Sequence, residues 1–237
     1  MRRLLEWGGV AAGAILIAFG VVAIVMGVNG RSTVSDTLKQ EQITGTPDMS
    51  PSGIAAEVKA AQTAQTALFA KLNAAGVKMT PSEITAPSCT VANQVVDNGD
   101  RARCFAKYMR IHTYGATSGL TYSQMGRYEA APGTPTKLTD GMGGTNDTKS
   151  AAVNPTTKQP VSNGLRDLWV TYTALTTALN SSYMASQISL FAIVVGVGML
   201  LSGIGFLILA LFGALRPSAL VEREPVEAKP TPATGMS

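Results

Sequence analysis

The chain has 237 residues, of which 46% are hydrophobic and only 14% are charged, whereas an ordinary soluble domain has about 25% charged residues. A surface with so few charges is not expected to lie wholly in water, and the apolar residues fall mainly in two long runs near the ends of the chain. We therefore exclude a single soluble globule. The formal net charge is only +4, and for so modestly basic a chain we expect no nucleic-acid partner.

The first apolar run extends from Gly8 to Val28 without an ionisable residue and follows Arg2, Arg3 and Trp7. At 1.5 Å per residue it is long enough to cross a hydrocarbon layer of about 30 Å. A cleaved signal peptide would have a shorter apolar core, of about 7 to 15 residues, and a small-residue cleavage site. Residues 26–30 contain no such site, so we favour an uncleaved signal anchor.

The second apolar run extends from Ile188 to Leu215 and is followed by Arg216. Because basic residues flank the terminal side of both runs, the positive-inside rule predicts that both termini are cytoplasmic. The chain is then a two-span protein of the plasma membrane. Its predicted segments are a cytoplasmic N-terminus (1–7), two transmembrane helices (8–28 and 188–215), an extracytoplasmic domain (29–187) and a disordered cytoplasmic tail (216–237).

Small residues recur along both predicted spans, which contain no Asp, Glu, Lys, Arg or His. The lack of ionisable groups argues against a transporter or pump. Glycine stripes allow close helix packing in lipid, although glycine is also common in transmembrane helices generally. The candidate packing residues are Gly9, Gly13, Gly20 and Gly27 in the first span, and Gly198 and Ser202 in the second.

An alanine-rich helix is predicted from Ser50-Pro51, which supplies a cap and a first-turn proline, to Gly76. Its apolar positions alternate in spacings of four and three, with Gln65 as a polar residue in the seam. This pattern fits a short coiled-coil-like seam and an ordinary amphipathic helix equally well. The apolar positions are Ile54, Val58, Ala61, Leu68, Leu72 and Ala75.

The two cysteines, Cys89 and Cys104, both lie in the predicted extracytoplasmic domain, where thiols are usually oxidised. A disulfide closing this loop would stabilise the fold by about 3 kcal/mol on the chain-entropy model. The alternative is a reactive or metal-binding pair with His112, the only histidine, but the cysteine spacing matches no common zinc or CxxC pattern. We predict a structural disulfide and expect no metal site.

A basic helix face is predicted on the segment from Arg101 to Tyr114, with Asp100 as its cap. Arg103, Lys107 and Arg110 share this face at spacings of four and three. One interpretation is a docking surface for an anion, such as a lipid phosphate or an acidic envelope polymer. The other, which we favour from the sequence, is a solvated helix face balanced in part by nearby aspartates.

Two different segments follow before the second span. Residues 131–163 are rich in Gly, Pro, Thr and Asn and are predicted to form a flexible loop, and Asp140–Asp147 lacks the ligand spacing of a calcium loop. From Leu165 onward a three-four apolar pattern runs without Pro or Gly into the second span. We predict a single helix from Leu165 to Leu215, whose residues 165–187 form a stalk. The fold class is thus mainly α: a transmembrane hairpin with a helical outer domain.

Three segments carry a resemblance to known sequences: Gly27–Arg31, Asp100–His112 and Ala178–Ala185. Together they resemble a group of uncharacterised two-span membrane proteins of high-GC Gram-positive bacteria, over most of the chain except the loop and the tail. The resemblance implies the same architecture but no established activity. Some members are labelled aromatic ring-opening dioxygenases, yet a non-haem iron site needs two histidines and a carboxylate, and this chain has one histidine.

The motifs of common enzyme classes are not found in the sequence: there is no nucleophile elbow, paired-carboxylate motif or Walker sequence. We therefore expect no enzymatic activity and no cofactor. The packing features favour an accessory subunit or self-associating scaffold of the cell envelope, surrounded by membrane lipids and forming a homo-oligomer or part of a larger complex. The alternative is an extracytoplasmic binding or sensing module for an anionic lipid or envelope polymer.

Overall fold

A computed structural model describes residues 2–212, with side chains from residue 6 onward. The predicted tail at 216–237 and the last residues of the second apolar run, 213–215, lie outside this part of the chain. Within it the protein is mainly helical, as predicted, with little sheet. The four α-helices are α1 (Arg2–Gln40), α2 (Ala55–Ala74), α3 (Gly99–Ala116) and α4 (Gly164–Phe212).

The short elements all lie between α3 and α4. Two strands, β1 (Tyr128–Glu129) and β2 (Gly144–Thr145), pair antiparallel with Tyr128 opposite Thr145. Two single-turn 3-10 helices occupy Tyr122–Gln124 and Thr136–Leu138.

Two of the helices, α1 and α4, are long and apolar enough to cross a membrane. Helix α1 continues several turns beyond its apolar run and ends at Gln40, before Gly45 and Pro47. Likewise, α4 is uninterrupted from the stalk residues 165–187 into the second run. Large apolar side chains such as Phe191 and Phe212 are exposed along it.

The described residues divide into two compact units: one contains residues up to Ile24 together with residues 194–212, and the other contains Val25–Ile193. In the first unit, glycines bring the backbones of α1 and α4 into direct contact. A Cβ atom on Gly13 would lie 2.8 Å from the carbonyl oxygen of Gly203, and one on Gly20 would lie 2.7 Å from that of Gly196. Because the partner numbers fall as the α1 numbers rise, the two helices run antiparallel.

The other predicted packing residues of α1 are also covered. Gly9 is buried. In the second unit, a Cβ atom on Gly27 would lie 2.6 Å from the carbonyl oxygen of Ser189 and equally near the Ile193 side chain. The seven-residue glycine series therefore lies along one contact face of α1, where absent side chains permit close approach.

The two predicted packing residues of the second helix do not contact α1. Gly198 and Ser202 are exposed, and Gly198 has no atom within 4 Å of a built Cβ position. The residues of α4 that meet α1 are Gly196 and Gly203 instead. At 100° per residue, Gly198 lies about 200° around the helix from Gly196, on the opposite face.

Helix α2 begins later than predicted, at Ala55 rather than at Ser50. The Ser50 hydroxyl accepts a 3.1 Å hydrogen bond from the backbone N–H of Gly53 and so stabilises a turn, and α2 starts after it. The seam of α2 is buried as the spacing predicts, except at Ala75, which follows the last residue of α2 and is half-buried. The partner of the seam is α3 of the same chain. Buried seam residues are Ile54, Val58, Ala61, Gln65, Leu68 and Leu72.

Helix α3 is capped by Asn98 and not by Asp100. The extended backbone of Asn98 directs its side-chain oxygen to the backbone N–H of Arg101, 3.0 Å away, so Asp100 lies inside the first turn. The apolar face of α3 packs towards α4 through an aromatic cluster. There the Trp169 ring meets Tyr114 and Tyr172 edge-on, at centroid distances of 5.6 and 5.1 Å.

Segment 131–163, expected to be a flexible loop, has its own hydrogen-bonded structure around one buried carboxylate. Asp140 is 4% exposed. Its oxygens accept hydrogen bonds from the backbone N–H groups of Gly126 (2.9 Å), Met142 (2.8 Å) and Gly144 (2.8 Å). This arrangement could not be predicted from composition, because it depends on one acidic side chain that accepts hydrogen bonds from backbone N–H groups on both sides of a turn.

Candidate functional site

The three residues of the predicted basic face have different surroundings. The Arg103 guanidinium stacks over the ring of Tyr183 on α4, 4.4 Å from its centroid, and is therefore engaged in a cation–π contact. Lys107 and Arg110, one and two turns further along α3, line a groove of about 670 Å³. The candidate site therefore contains two of the three predicted cations.

The opposite wall of the groove is the irregular segment 82–88, which precedes the first cysteine. The predicted Cys89–Cys104 disulfide is present and attaches the end of this segment to α3. In addition, the Tyr108 hydroxyl donates a hydrogen bond to the carbonyl oxygen of Cys89. A covalent bond and a hydrogen bond thus hold the two walls side by side.

The groove contains more hydrogen-bond donors than acidic groups. Glu83 is the one carboxylate among its lining residues, against the cations of Lys107 and Arg110. The hydroxyl groups around it belong to Ser82, Thr85, Ser88, Tyr114 and Thr121. Hydroxyl and cationic donors together suit a ligand that has both anionic and neutral oxygen atoms.

Arg110 is held in position by an aromatic neighbour. Its Nη2 and Nε atoms lie 2.8 and 3.2 Å from the hydroxyl oxygen of Tyr114, to which they donate. Desolvation alone would lower the pKa of Arg110, but interactions with Tyr114 and Tyr172 outweigh it and raise the pKa above its ordinary value. The guanidinium is therefore a fixed cation with donors left over for a ligand.

Neither Lys107 nor Arg110 forms an ion pair with a carboxylate among residues 6–212. Sequence reasoning favoured a solvated face whose charge Asp97 and Asp100 partly balance. In the structure Asp97 pairs with Arg101 at 2.8 Å instead. The positive charge of the groove is therefore not neutralised by that aspartate.

The contacts between α3 and α4 give the distance of the groove, along α4, from the apolar run of that helix. Helix α3 runs antiparallel to α4, since a Cβ atom on Gly99 would meet Ser186, whereas Tyr114 near the other end of α3 packs against Trp169. The apolar run of α4 begins at Ile188, 16 residues after Tyr172, which corresponds to about 24 Å along the helix. Arg110 is thus well separated from the apolar part of the same helix.

A second group of ionisable residues surrounds His112 on α3. Its Nδ1 atom lies 2.9 Å from Oε2 of Glu57, and its Nε2 atom lies 3.4 Å from Oδ2 of Asp48. This cluster could not be predicted from the sequence, because His112 lies 55 residues beyond Glu57 and the three residues belong to three elements. It is the one arrangement among the described residues that could hold a metal ion through three side chains.

Comparison of the chain with protein-family models, with curated proteins and with solved structures gives no match. The fold and the site by themselves define a mainly helical protein with two membrane-length helices and a disulfide-tied basic groove.

Proposed function

We propose that the chain is a two-span membrane protein whose segments 8–28 and 188–215 form a transmembrane hairpin. Segment 29–187 then lies outside the cytoplasm and both termini lie inside it. Three observations support this topology: the length and apolar character of α1 and α4, their antiparallel glycine contacts, and a disulfide that requires an oxidising compartment. The basic residues at the terminal sides of both spans agree with it.

We further propose that the outer domain is a non-enzymatic binding module for an anionic polymer of the cell envelope. The observation that carries this proposal is the pair Lys107 and Arg110, which line one groove without a carboxylate partner. Two adjacent cations match the repeated charges of a polyanion, and the surrounding hydroxyl groups match its neutral oxygen atoms.

The distance between the groove and the apolar run of α4 favours a polymer over a lipid headgroup as the ligand. Arg110 donates to Tyr114, which belongs to the aromatic cluster with Trp169 and Tyr172. Tyr172 lies about 24 Å along α4 from the start of the apolar run at Ile188. Phospholipid headgroups of the same bilayer occupy only the interfacial layer next to the hydrocarbon core, which adds about 5 to 8 Å on each side. A polymer that extends away from the membrane surface reaches the groove, whereas a headgroup of that bilayer does not.

The test uses the full chain in nanodiscs of neutral phosphatidylcholine and a fluorescent poly(glycerol phosphate) as the probe. We expect saturable binding, measured by fluorescence polarisation, that weakens by about tenfold or more in the double variant Lys107→Gln/Arg110→Gln, in line with two lost charge-assisted hydrogen bonds. Lys107→Glu alone, which leaves the Arg110–Tyr114 contact intact, should also weaken it.

A matched control removes the same charge elsewhere. Lys59→Gln/Lys71→Gln changes two exposed lysines of α2, and we expect probe affinity within about twofold of the unmodified chain. Equal losses in the two double variants would indicate general attraction and contradict a groove site. Competition by phosphatidylglycerol vesicles as strong as that by unlabelled polymer would assign the site to a lipid headgroup instead.

A second candidate is the accessory subunit or self-associating scaffold. The glycine series of α1 is occupied within the chain, so a partner helix would need another face. Gly198, Ser202 and Gly205 lie together on the side of α4 opposite α1, and the two glycines have no neighbour within 4 Å of a built Cβ. Mass measurement after purification in mild detergent tests this candidate, and a lone monomer without a partner would contradict it.

A further inference from the structure

The environment of His112 contains more negative charge than the described chain neutralises. Its imidazole lies between two carboxylates, with Nδ1 2.9 and 3.0 Å from the oxygens of Glu57 and Nε2 3.4 Å from Oδ2 of Asp48. Within residues 6–212 neither carboxylate pairs with a lysine or arginine. The cluster therefore has a net negative charge in either protonation state of the imidazole.

The hydrogen bonds of the cluster are also incomplete. A neutral imidazole has one N–H donor, yet both of its nitrogens face a carboxylate, so one contact then lacks a proton. A bound cation would remove both the charge excess and the unpaired contact.

We propose that Asp48, Glu57 and His112 bind a divalent transition-metal ion of the Zn²⁺ class. One imidazole nitrogen and two carboxylate oxygens form a ligand set that Zn²⁺ accepts at about 2.0–2.2 Å, with water as the fourth ligand. Ca²⁺ and Mg²⁺ are expected to bind more weakly, because they prefer oxygen ligands throughout and, for Ca²⁺, six or more of them.

The geometry needs only small side-chain movements to accept the ion. In a tetrahedral zinc site neighbouring ligand atoms are about 3.3 Å apart, given bonds of 2.0–2.1 Å. The ligand atoms of the cluster all lie within 4.8 Å of one another. The side chains of His112, Glu57 and Asp48 are 29%, 34% and 40% exposed, so they have room to rotate and the site is open to solvent.

The ion would link three elements of the outer domain: the turn at Asp48, the first turn of α2 and the C-terminal part of α3. An ion that binds only the folded state stabilises that state, and the stabilisation increases with the ratio of the free ion concentration to Kd. The proposal does not depend on the groove function, since Lys107 and Arg110 are not among its ligands.

The test measures zinc binding to the full chain, purified in mild detergent without a polyhistidine tag and stripped with a chelator. After dialysis against micromolar Zn²⁺, we expect one ion per chain by elemental mass spectrometry and a higher thermal midpoint. Co²⁺ in place of Zn²⁺ should give visible absorption bands from nitrogen and oxygen coordination. Because loss of even a supporting residue typically costs ~10–100-fold in metal affinity, Glu57→Gln and His112→Gln should each weaken zinc binding by at least about tenfold.

Asp100→Asn is the matched control, since it removes an exposed carboxylate from the same helix as His112. We expect this variant to bind zinc as tightly as the unmodified chain. The Glu57→Gln side chain keeps the shape and one acceptor oxygen of the original, so its fold is retained and a circular dichroism spectrum verifies this. No bound zinc at micromolar concentration, or equal binding in the Glu57→Gln, His112→Gln and control variants, would overturn the proposal.

Discussion

The Nε2 atom of Gln65 donates a 3.0 Å hydrogen bond to the carbonyl oxygen of Gly119, in the buried contact between α2 and the turn after α3. Gln65 is only 7% exposed, although its neighbours in the seam are apolar. Gly119 has a φ of +77°, and a Cβ atom there would overlap the Gln65 side chain. The polar residue of the seam therefore fixes the position of one specific turn.

We expect Gln65→Ala to lower the free energy of unfolding by about 1–3 kcal/mol, because it leaves the buried Gly119 carbonyl without a donor. Gly119→Ala should also destabilise the protein, through its left-handed backbone and its overlap with Gln65. Thr63→Ala, at an exposed position on the same helix, serves as the control and should stay within about 0.5 kcal/mol. Chemical denaturation of the full chain in detergent measures all three, and an unchanged midpoint for Gln65→Ala would contradict the role given to this bond.

Gln65 also illustrates how much of the fold local sequence can predict. Its place in the seam follows from three-four spacing, and the same periodicity predicts the course of α3 and the length of α4, since helix periodicity depends only on neighbours along the chain. Its partner could not be predicted, because Gly119 lies 54 residues away. The Asp48, Glu57 and His112 cluster escaped prediction for the same reason.

The structure also differs from the sequence-based expectation where two nearby residues satisfy the same local rule. Asn98 and Asp100 are both good N-caps, and only the extended backbone of Asn98 decides between them. Gly196 and Gly198 are both small, and only the rotation of α4 shows which one meets α1. In the candidate site, the spacing of Lys107 and Arg110 was visible in the sequence, but the opposite wall at 82–88 was not.

Loss of the disulfide should lower the stability of the protein and loosen one wall of the groove. It joins residues 15 positions apart, and the double variant Cys89→Ala/Cys104→Ala should lose about 3 kcal/mol of unfolding free energy on the chain-entropy model. The wall at 82–88 should become more susceptible to proteolysis, because its covalent attachment to α3 is lost. Denaturant titration with and without reductant measures the effect.

Tyr108→Phe is a graded comparison, since it removes only the hydrogen bond to the Cys89 carbonyl and should cost about 1 kcal/mol. Reductant should destabilise the unmodified chain and Tyr108→Phe, but not the double cysteine variant. A reductant effect of the same size in the cysteine variant would show that the loss has another origin.

Asp140 should be essential for the order of segment 131–163. Asp140→Ala removes the acceptor of three backbone N–H groups, two of which belong to the buried residues Gly126 and Gly144. We expect a loss of about 3 kcal/mol or more, because each buried donor left unsatisfied costs about 1–3 kcal/mol. Hydrogen exchange followed by mass spectrometry should show faster exchange confined to this segment.

Thr148→Ala, an exposed neighbour in the same segment, provides the control and should leave exchange unchanged. If the unmodified chain already exchanged at the rate of a free loop throughout 131–163, the hydrogen-bonded structure around Asp140 would not persist in solution.

The final prediction compares Gly196 and Gly198, two glycines within one turn of α4 that face opposite sides of the helix. A Cβ atom at Gly196 would lie 2.8 Å from the carbonyl oxygen of Gly20 and 2.9 Å from the backbone nitrogen of Ile24, whereas one at Gly198 meets nothing within 4 Å. Gly196→Ile must therefore separate the two helices, and we expect it to cost at least about 1–3 kcal/mol, as overpacking does. Gly198→Ile should change the stability of the monomer by less than about 0.5 kcal/mol.

Unfolding by a denaturing detergent measures the stability of both variants. The size of the particle in mild detergent is a second measurement, which separates packing within the chain from packing between chains. If α4 presents its open face to a partner helix, Gly198→Ile should reduce the larger species while leaving monomer stability unchanged, because an added side chain blocks close approach there. Equal destabilisation of the monomer by the two substitutions would contradict the register of α1 against α4. A larger species that survives Gly198→Ile would show that any self-association uses a face other than the one containing Gly198, Ser202 and Gly205.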